Sequence, residues 1–263
     1  MTPDPVEASS GWGVLHLFYR VDARRADDEP GGAKHVLDAV ERFTADGTHQ
    51  VLTFVVLGHK ADLGVMAVGP DLARLQALQH DLARAPLVPT WSYVSLTELS
   101  EYSATEDEER ARLAAEEDLT DPDEVEARLA PWRERIAHYR EQRLHPHLPA
   151  KRSLCFYPMS KRRLGVDNWY ALDFTDRKAL MAGHARVGRT YAGRVLQLIT
   201  GSTGLDDWEW GVTLLADDPA ALKEIVYEMR FDEVSTRYAE FGPFVTGLVV
   251  EPAEALRRVG LEA

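Results

Sequence analysis

Apolar and polar positions follow one clear order along the first hundred residues. Alternation or a short apolar run predicts a strand, and apolar residues recurring every three or four positions predict an amphipathic helix. By these patterns strands are predicted at 11–20, 51–57, 63–68 and 91–96, and helices at 33–45 and 70–85. The resulting order is β-α-β-β-α-β, which is that of a ferredoxin-like unit.

The second half of the chain repeats this order. Strands are predicted at 155–157, 169–174, 195–200, 209–215 and 244–250, and helices at 176–191 and 219–229, the first of them capped by Thr175. An α+β fold is therefore predicted, with two ferredoxin-like (dimeric α+β barrel) domains that arose by internal duplication. Two such units can place their sheets side by side or face to face and leave a pocket in one of them.

The stretch between the halves breaks the pattern. Residues 106–117 and 123–140 are highly charged with helical spacing, which favours a solvated helical insertion. The predicted organisation is an N-terminal ferredoxin-like domain at 1–103, a charged helical insertion and linker at 104–150, and a C-terminal ferredoxin-like domain at 151–263.

Composition narrows the class of protein. The formal net charge of −13 argues against nucleic acid as a partner, because phosphate binding needs a basic face. No apolar run is long enough for a transmembrane helix, and the first residues lack the segments of a secretory signal. A single cysteine, Cys155, excludes a disulfide framework within the chain. We therefore expect a cytoplasmic protein without membrane insertion.

The stretch from Cys155 to Arg163 carries the first candidate chemistry. The redox-capable phenol of Tyr157 lies four residues before Lys161, and the stretch ends in a basic cluster. Pro158 cannot donate a ladder hydrogen bond, so the strand is expected to lie at a sheet edge or to end there. A phenol beside cations suits an anionic substrate, and a basic pocket in an acidic protein suits a small polyanion. A strand that simply leaves the core gives the same local pattern.

Two polar residues in apolar surroundings are further candidates. His184 shares a helical face with Leu180, Val187 and Tyr191. It is either a hydrogen-bonded core histidine or an axial ligand to haem iron, which needs a neutral imidazole in an apolar pocket. Gln197 lies in an apolar strand, where a missing hydrogen bond would cost about 1–3 kcal/mol. Its side chain is therefore paired with backbone or points at a ligand.

A basic set and a histidine cluster complete the candidates. Carboxylates could receive charge-assisted contacts from Arg143, Lys161, Arg162, Arg163, Arg230, Ser235 and Arg237. Solvent exposure explains each of these side chains singly, but as a set they are unusual in a protein of this charge. His138, His145 and His147 either bind a metal ion or lie in a loop with scattered histidines.

Motifs along both halves form a set that is far more specific than any single piece. The second half contains Tyr157-Pro-Met-Ser-Lys-Arg-Arg163, Asn168-Trp-Tyr170, Gly183-His-Ala-Arg-Val-Gly-Arg-Thr-Tyr-Ala-Gly193, Asp206-Asp-Trp-Glu-Trp-Gly211, Met229-Arg-Phe-Asp-Glu-Val-Ser235 and Glu240-Phe-Gly-Pro-Phe244. The first half contains Gly11-Trp12, Leu15-His16, Gly58-His-Lys-Ala-Asp-Leu63 and Ser92-Tyr-Val-Ser95. Outside the acidic insertion, nearly the whole chain thereby resembles the coproheme decarboxylases (HemQ type) of the chlorite dismutase-like superfamily.

The resemblance implies a fold, a substrate and a reaction. Members of that family have two ferredoxin-like domains per subunit and usually form a ring-shaped homopentamer. They bind iron-coproporphyrin III (coproheme) in the C-terminal domain, where it is both substrate and redox cofactor. With hydrogen peroxide they oxidatively decarboxylate two of its propionates to vinyl groups through a tyrosyl radical, giving haem b. Transient contact with the coproporphyrin ferrochelatase is implied as well.

The resemblance also assigns roles to matching positions. His184 matches the iron ligand, and Tyr157 matches the tyrosine whose radical takes a hydrogen atom from a propionate β-carbon. Lys161 matches the lysine that holds and assists a reacting propionate, and Gln197 matches the distal-side glutamine. Propionate or porphyrin-contact positions are matched by Arg143, Ser235, Arg230 and Met159.

Other readings of the same family pattern remain open. A chlorite dismutase is expected to have a distal arginine where this chain has Gln197, and it does not need the tyrosine–lysine pair. A second branch of coproheme decarboxylases uses a distal histidine, where this chain has Arg140. A haem carrier or sensor would use His184 without chemistry. The glutamine type of decarboxylase fits best.

Overall fold

The computed structural model describes residues 4–28 and 31–262. Its strands are β1 (Gly13–Val21), β2 (Gln50–Val56), β3 (Leu63–Gly69), β4 (Leu87–Thr97), β5 (Ser153–Lys161), β6 (Val195–Gly201), β7 (Trp210–Ala216), β8 (Ala239–Phe241) and β9 (Val245–Val249). Its helices are α1 (Ala23–Asp28), α2 (Gly32–Thr44), α3 (Leu72–Leu82), α4 (Glu106–Glu117), α5 (Pro122–Leu144), α6 (Phe174–Thr190), α7 (Pro219–Met229), α8 (Glu233–Tyr238) and α9 (Pro252–Arg258).

Both halves have the predicted β-α-β-β-α-β order. The first runs β1-α2-β2-β3-α3-β4, and the second runs β5-α6-β6-β7-α7-β9. Their strands form one antiparallel sheet of order β7-β6-β4-β1-β3-β2-β9-β5-β8, and an additional pairing of β7 with β5 closes it. The two halves meet at β2–β9 and at β4–β6. The prediction of two ferredoxin-like units is confirmed, with their sheets joined side by side.

An aromatic core fills the inside of the closed sheet. Its members include Phe18, Phe54 and Phe156, all essentially fully buried. The imidazole of His16 is buried among them, stacked on Phe156 with 3.9 Å between ring centroids. His16 Nε2 is hydrogen-bonded to the Thr213 hydroxyl at 2.8 Å, which links a strand of the first half to one of the second. Desolvation lowers the pKa of His16 to about 3, so the ring is neutral at physiological pH.

The outer face of the first half is covered by helices. Five side chains of α2 are buried there: Ala33, Val36, Ala39, Val40 and Phe43. Helix α3 adds three leucines, and α9 packs back onto this half through Ala255 and Leu256. These side chains fill the space between helix and sheet that a ligand would otherwise need.

The outer face of the second half is covered unequally. Helix α7 buries Ala221, Leu222 and Ile225 against β5 and β7. Helix α6, which corresponds in order to α2, buries Gly188 alone. Most of α6 therefore lies over the sheet without packing tightly onto it. Because the first half, as far as the structure describes it, has no such loosely covered face, the candidate site is expected between α6 and the sheet of the second half.

The charged stretch forms two helices, α4 and α5, as the pattern predicted. They pack on each other through Leu113, Val125 and Leu129, while most other side chains are exposed. Helix α4 begins with a capping box in which Thr105 and Glu108 satisfy each other's backbone amides. An ion pair between Glu108 and Lys178 joins α4 to α6. The boundaries of the three predicted domains remain a prediction. None of the described helices has the length and apolar content to cross a membrane.

Two local predictions in the second half are wrong. The predicted strand at 169–174 is a short 3-10 helix, Trp169–Ala171, begun by the Asn168 side chain, which accepts a hydrogen bond from the Tyr170 amide. Helix α6 begins earlier than expected, because Asp173 rather than Thr175 is its N-cap and accepts from the Asp176 amide. In both cases an Asx side chain bonds the backbone two or three residues ahead, which outweighs the apolar pattern.

Gly64 of β3 gives a direct test of packing inside the closed sheet. A Cβ at this position would lie 2.1 Å from the ring of Phe54, which is fully buried and cannot move aside. We expect Gly64→Ala to lower the free energy of unfolding by about 1–3 kcal/mol through overpacking. Gly183→Ala is the control, because nothing lies within 4 Å of its Cβ, and a gain of about 0.8–1.0 kcal/mol in helix propensity is expected. Denaturant titration of both variants measures the difference, and equal stabilities would contradict the described packing.

Candidate functional site

The outer faces of β5, β6 and β7 bring most of the predicted residues together. Side chains alternate along β5, so that Phe156 points into the closed sheet while Tyr157 lies on the outer face. Tyr157 is paired with Val212 of β7, and Val212 is paired with Ile199 of β6. Gln197 shares the face of Ile199. The backbones of Tyr157 and Ile199 are therefore two strand spacings apart, about 10 Å, and the side chains of Tyr157 and Gln197 lie on one surface.

Strand β5 does not end at Pro158, and it is not an edge strand at that point. On one side it pairs with β7 from Ser153 to Met159. On the other side it pairs with β9 up to Phe156 and with β8 from Met159. Pro158 falls at the change of partner, where only its carbonyl is used, accepting from the Gly242 amide at 2.8 Å. The missing proline N–H therefore costs no ladder hydrogen bond.

Tyr157 is a buried phenol, 5% exposed. Its ring stacks on Phe244 at 4.3 Å and lies 5.9 Å from Phe241. Its hydroxyl has no hydrogen-bond partner among the described residues. Desolvation raises the pKa of Tyr157, so the side chain is protonated at neutral pH. A hydroxyl without a partner at the end of a buried ring is a group available to a ligand.

Lys161 closes the same strand with a buried cation. It is 7% exposed, and its ammonium lies 4.4 Å from the centre of the Trp169 ring. No carboxylate of the described chain forms an ion pair with it. Burial lowers its pKa to about 8, against the opposing effect of Asp232 and Glu209. A lysine in this setting can exchange its charge near physiological pH and can hold an incoming carboxylate.

His184 lies on α6 with one ring nitrogen committed and the other available. Nδ1 is 2.8 Å from a carboxylate oxygen of Asp232. Nε2 has no partner among the described residues, and the side chain is 27% exposed. A carboxylate that fixes one nitrogen of a histidine orients the other and makes it more basic, which is the usual support for a metal-binding imidazole.

Asp232 is held in place by further bonds. It begins α8 and accepts from the Ser235 amide at 2.8 Å and from the Ser235 hydroxyl at 3.3 Å. Burial alone would raise the pKa of Asp232, but the hydrogen bonds from His184 and Ser235 outweigh it and leave the pKa below its usual range. The predicted contact residue Ser235 is thus part of the support for His184.

Gln197 is paired with backbone, one of the two outcomes its position allowed. Its amide nitrogen donates to the carbonyl of Gly188 at 3.1 Å. Gly188 is one helical turn beyond His184, and a Cβ there would lie 3.0 Å from Met229 and 3.3 Å from Gln197. The glycine therefore permits the close approach of α6 to β6 at its C-terminal end, while the turn carrying His184 stands further off.

The remaining predicted contact residues lie at the margins of this surface. Arg143, at the end of α5, donates to the Ile199 carbonyl at 3.3 Å, and its buried Nε has no partner among the described residues. The guanidinium of Arg230 lies 5.0 Å from the centre of the Phe241 ring. Met159 packs in the cluster that contains Tyr157. The structure thus brings Tyr157, Met159, Lys161, Gln197 and Arg230 to one face, with His184 opposite and Arg143 at the edge.

The histidine cluster forms no metal site within the described residues. His138 is paired with Gln142, and His145 is paired with Glu141 on α5. The ring of His145 also packs 5.1 Å from that of Trp12. Both histidines are therefore engaged in local surface contacts, and His138 lies on α5 rather than in a loop.

Sequence reasoning missed two acidic residues of this region, Asp232 and Glu209. Each belongs to a motif that was recognised, but neither was given a role. The Asp-x-x-Ser spacing at 232–235 is an N-cap signal, which places the Asp232 side chain at the start of a helix. No comparable signal exists for Glu209, whose burial depends on strands distant in sequence.

The surface as a whole fits a flat, carboxylated, iron-bearing ligand. It offers one oriented imidazole nitrogen, a buried phenol, a buried ammonium, and apolar side chains between them. The buried Nε of Arg143 has no hydrogen-bond partner among the described residues, so it is a polar group available to such a ligand. Helix α6 buries only Gly188, which leaves space between it and the sheet. A haem-type macrocycle needs this combination of one axial nitrogen and apolar faces with cations at its rim.

Comparisons with known proteins agree with this geometry. The family model described as chlorite dismutase matches residues 32–250. A structure described as a novel haem-binding protein from Thermus thermophilus is similar at 37% identity and a TM-score of 0.78, covering 98% of this chain and 99% of that one.

More distant structures share the fold. Two structures of chlorite dismutase from Candidatus Nitrospira defluvii, one a point variant and one in complex with imidazole, match at 17% and 18% identity with TM-scores of 0.69. Each alignment covers 96% of both chains. Since the family model extends over most of the sequence and the 37% identical structure over nearly all of it, the chain belongs to the chlorite dismutase family.

Proposed function

We propose that this protein is a hydrogen peroxide-dependent coproheme decarboxylase that converts iron-coproporphyrin III into haem b. The observation that carries the proposal is the pair on β5 in the described chain: a buried phenol without a hydrogen-bond partner, four residues before a buried ammonium without an ion pair. A haem protein that only binds or transports its ligand has no need for this pair.

The residues suit the substrate by their chemistry. His184 would hold the iron through Nε2, with Asp232 fixing the ring. Lys161 and Arg143 would hold propionates, with Arg230 and Ser235 as further contacts at the rim and Met159 against the macrocycle. Gln197 would lie on the side of the porphyrin opposite His184. The iron porphyrin supplies the redox centre at which peroxide is reduced.

Tyr157 would relay the oxidation to a propionate. Loss of one electron and its proton gives a tyrosyl radical, which takes a hydrogen atom from the propionate β-carbon. Removal of a second electron breaks the bond to the carboxylate, so that a vinyl group and carbon dioxide form. Each propionate thus loses two electrons and, with one proton taken up, one peroxide is reduced to two water molecules. Lys161 keeps the reacting carboxylate in register with the phenol.

Two features support a decarboxylase over other members of the family. Gln197 stands where a chlorite dismutase is expected to have an arginine. The tyrosine–lysine pair has no use in chlorite chemistry. Arg140 at the position of the distal histidine of a second decarboxylase branch supports the glutamine type, and it is exposed on α5.

A haem carrier without chemistry is the second candidate. It is favoured by one observation, that the 37% identical structure is described only as a haem-binding protein. The carrier would use His184 and Asp232 but leave Tyr157 unused.

Assembly and location follow the same resemblance. The proposal includes a homopentameric ring, a cytoplasmic location, and transient contact with the coproporphyrin ferrochelatase that supplies the substrate. Size-exclusion chromatography with light scattering measures the oligomer directly.

Tyr157→Phe separates the two candidates. The variant keeps the aromatic stack on Phe244 and should bind iron-coproporphyrin as tightly as the parent, but it should yield no haem b. The measurement is mass spectrometry of the porphyrin during titration with hydrogen peroxide, where the parent should pass through a three-propionate intermediate.

Tyr191→Phe is the matched control for this experiment. Tyr191 belongs to the same apolar cluster, but its hydroxyl is already bonded to Glu228 at 2.6 Å. Its removal should cost about 1 kcal/mol of stability and leave decarboxylation intact. Normal turnover in Tyr157→Phe would contradict the radical assignment, and unchanged porphyrin in the parent would favour the carrier.

Substitutions of His184 and of Asp232 should weaken porphyrin binding to different degrees. His184→Ala removes the only proposed axial nitrogen, so the Soret band of the parent complex should be lost. Asp232→Asn keeps the shape of the side chain but removes the negative charge that supports the imidazole. The affinity for iron-coproporphyrin should therefore fall by about 10–100-fold. Absorption titration with iron-coproporphyrin measures both. A Soret band that persists unchanged in His184→Ala would contradict the assignment of the iron ligand.

A further inference from the structure

Glu209 is a buried carboxylate that the proposed reaction leaves without a role. It lies immediately before β7 and is 5% exposed. Its backbone amide donates to the Met159 carbonyl at 3.1 Å and to the Ser160 hydroxyl at 3.2 Å. These bonds fix the residue against the end of β5, and a buried acid in such a position needs partners of its own.

The carboxylate of Glu209 joins three segments around Lys161. One oxygen accepts from the Lys161 backbone amide at 2.7 Å. The other lies 3.7 Å from the guanidinium of Arg163. Burial, and to a smaller extent the interaction with Glu209, raises the pKa of the Tyr170 hydroxyl. The strand end, the loop that follows it and the short 3-10 helix thus converge on one side chain.

The ammonium of Lys161 faces few charges, and each comes from a different element. Asp232 approaches from the turn before α8, but its oxygens are engaged by His184 and Ser235. Glu209 approaches from the connection before β7, and the ring of Trp169 covers the ammonium from the 3-10 helix. The cations nearest in sequence are Arg162 and Arg163, and Arg163 is directed to Glu209.

We propose that Glu209 is a positioning residue for Lys161, because its carboxylate anchors the strand end that bears the lysine and keeps the buried ammonium charged. This inference deepens the proposed function, on which it rests for the identity of the carboxylated ligand. Asp232 also raises the pKa of Lys161, and by more than Glu209 does, but of the two acids it is Glu209 that is bonded to the strand end carrying the lysine.

The sign of the effect is fixed by the charges. Burial lowers the pKa of Lys161 to about 8, while Asp232 and Glu209 act to raise it. A lysine is charged below its pKa, so loss of a neighbouring negative charge moves its neutralisation to lower pH. In Glu209→Gln the pKa of Lys161 should therefore fall below that of the parent, and a larger share of the ammonium should be neutral at physiological pH.

The test is an NMR titration of ligand-free protein labelled with ¹³C at lysine Cε. The Lys161 resonance is assigned by its absence in Lys161→Arg. The parent should titrate at about 8, Glu209→Gln at a lower pH, and Glu209→Asp, which keeps the charge, close to the parent. Glu240→Gln is the matched control, because Glu240 is exposed on β8 opposite Ser160. It should leave the titration unchanged.

A structural role alone would give a different result. If Glu209→Gln is folded by circular dichroism and Lys161 titrates as in the parent, the inference is wrong. If Glu209→Gln does not fold, Glu209→Ala takes its place, because it also removes the negative charge: a lower titration pH for Lys161 supports the inference, and an unchanged one contradicts it.

Porphyrin binding then separates this inference from the proposed function. With iron-coproporphyrin as the probe, affinity should weaken as pH rises, and the midpoint of that loss should lie at lower pH in Glu209→Gln than in the parent. Lys161→Met should remove this pH dependence. A parent that binds no porphyrin would contradict the proposed function, whereas a parent that binds with the same midpoint as Glu209→Gln would contradict the role of Glu209.

Discussion

The pairing of β5 with β7 is the contact on which the rest of the molecule depends. It closes the sheet, so the aromatic core inside has no open edge along the described strands, and it fixes which side of β5 faces outward. A shift of one residue would turn Tyr157 and Lys161 into the core and expose Phe156. The same hydrogen bonds therefore hold the fold and select the side chains of the site.

The two halves share one order of elements, and the difference between them locates the candidate site. In the first half α2, α3 and α9 bury the outer face of the sheet. Among the described helices the second half has no counterpart of α9, because α9 follows β9 and packs on the first half instead. The apolar side chains Leu180 and Met181 of α6 pack against the cluster of Trp169, Val234 and Tyr238 rather than filling the space over the sheet as those of α2 do. Loss of packing on one copy is compatible with stability because the other copy and the shared interior retain theirs.

Periodicity predicted the fold well because most strands and helices of the two ferredoxin-like units have a regular apolar pattern, whereas the short elements α1, α8, β8 and α9 were not predicted. The charged helices were found in the same way, from spacing alone. The errors arose where a single side chain overrides the pattern, as Asn168 and Asp173 do. For the site, Tyr157, Lys161, His184 and Gln197 stand out as polar residues in apolar segments. Their proximity was not deducible from spacing, since it depends on β5 and β6 both pairing with β7, and Glu209 could not be found at all because its neighbours are far away in sequence.

The two acids that the motifs left unassigned show how the site divides its charge. Asp232 lies against the imidazole and Glu209 against the strand end that carries the ammonium. Both are largely shielded from water, so the charge of each reaches beyond the group to which it is bonded. Asp232 and Glu209 therefore both raise the pKa of the Lys161 ammonium, which burial lowers to about 8. The two acids differ in what they bond: Asp232 orients the imidazole, whereas Glu209 holds the backbone of the strand end. Loss of either charge would move the neutralisation of the lysine to lower pH, but only loss of Asp232 would also release the imidazole.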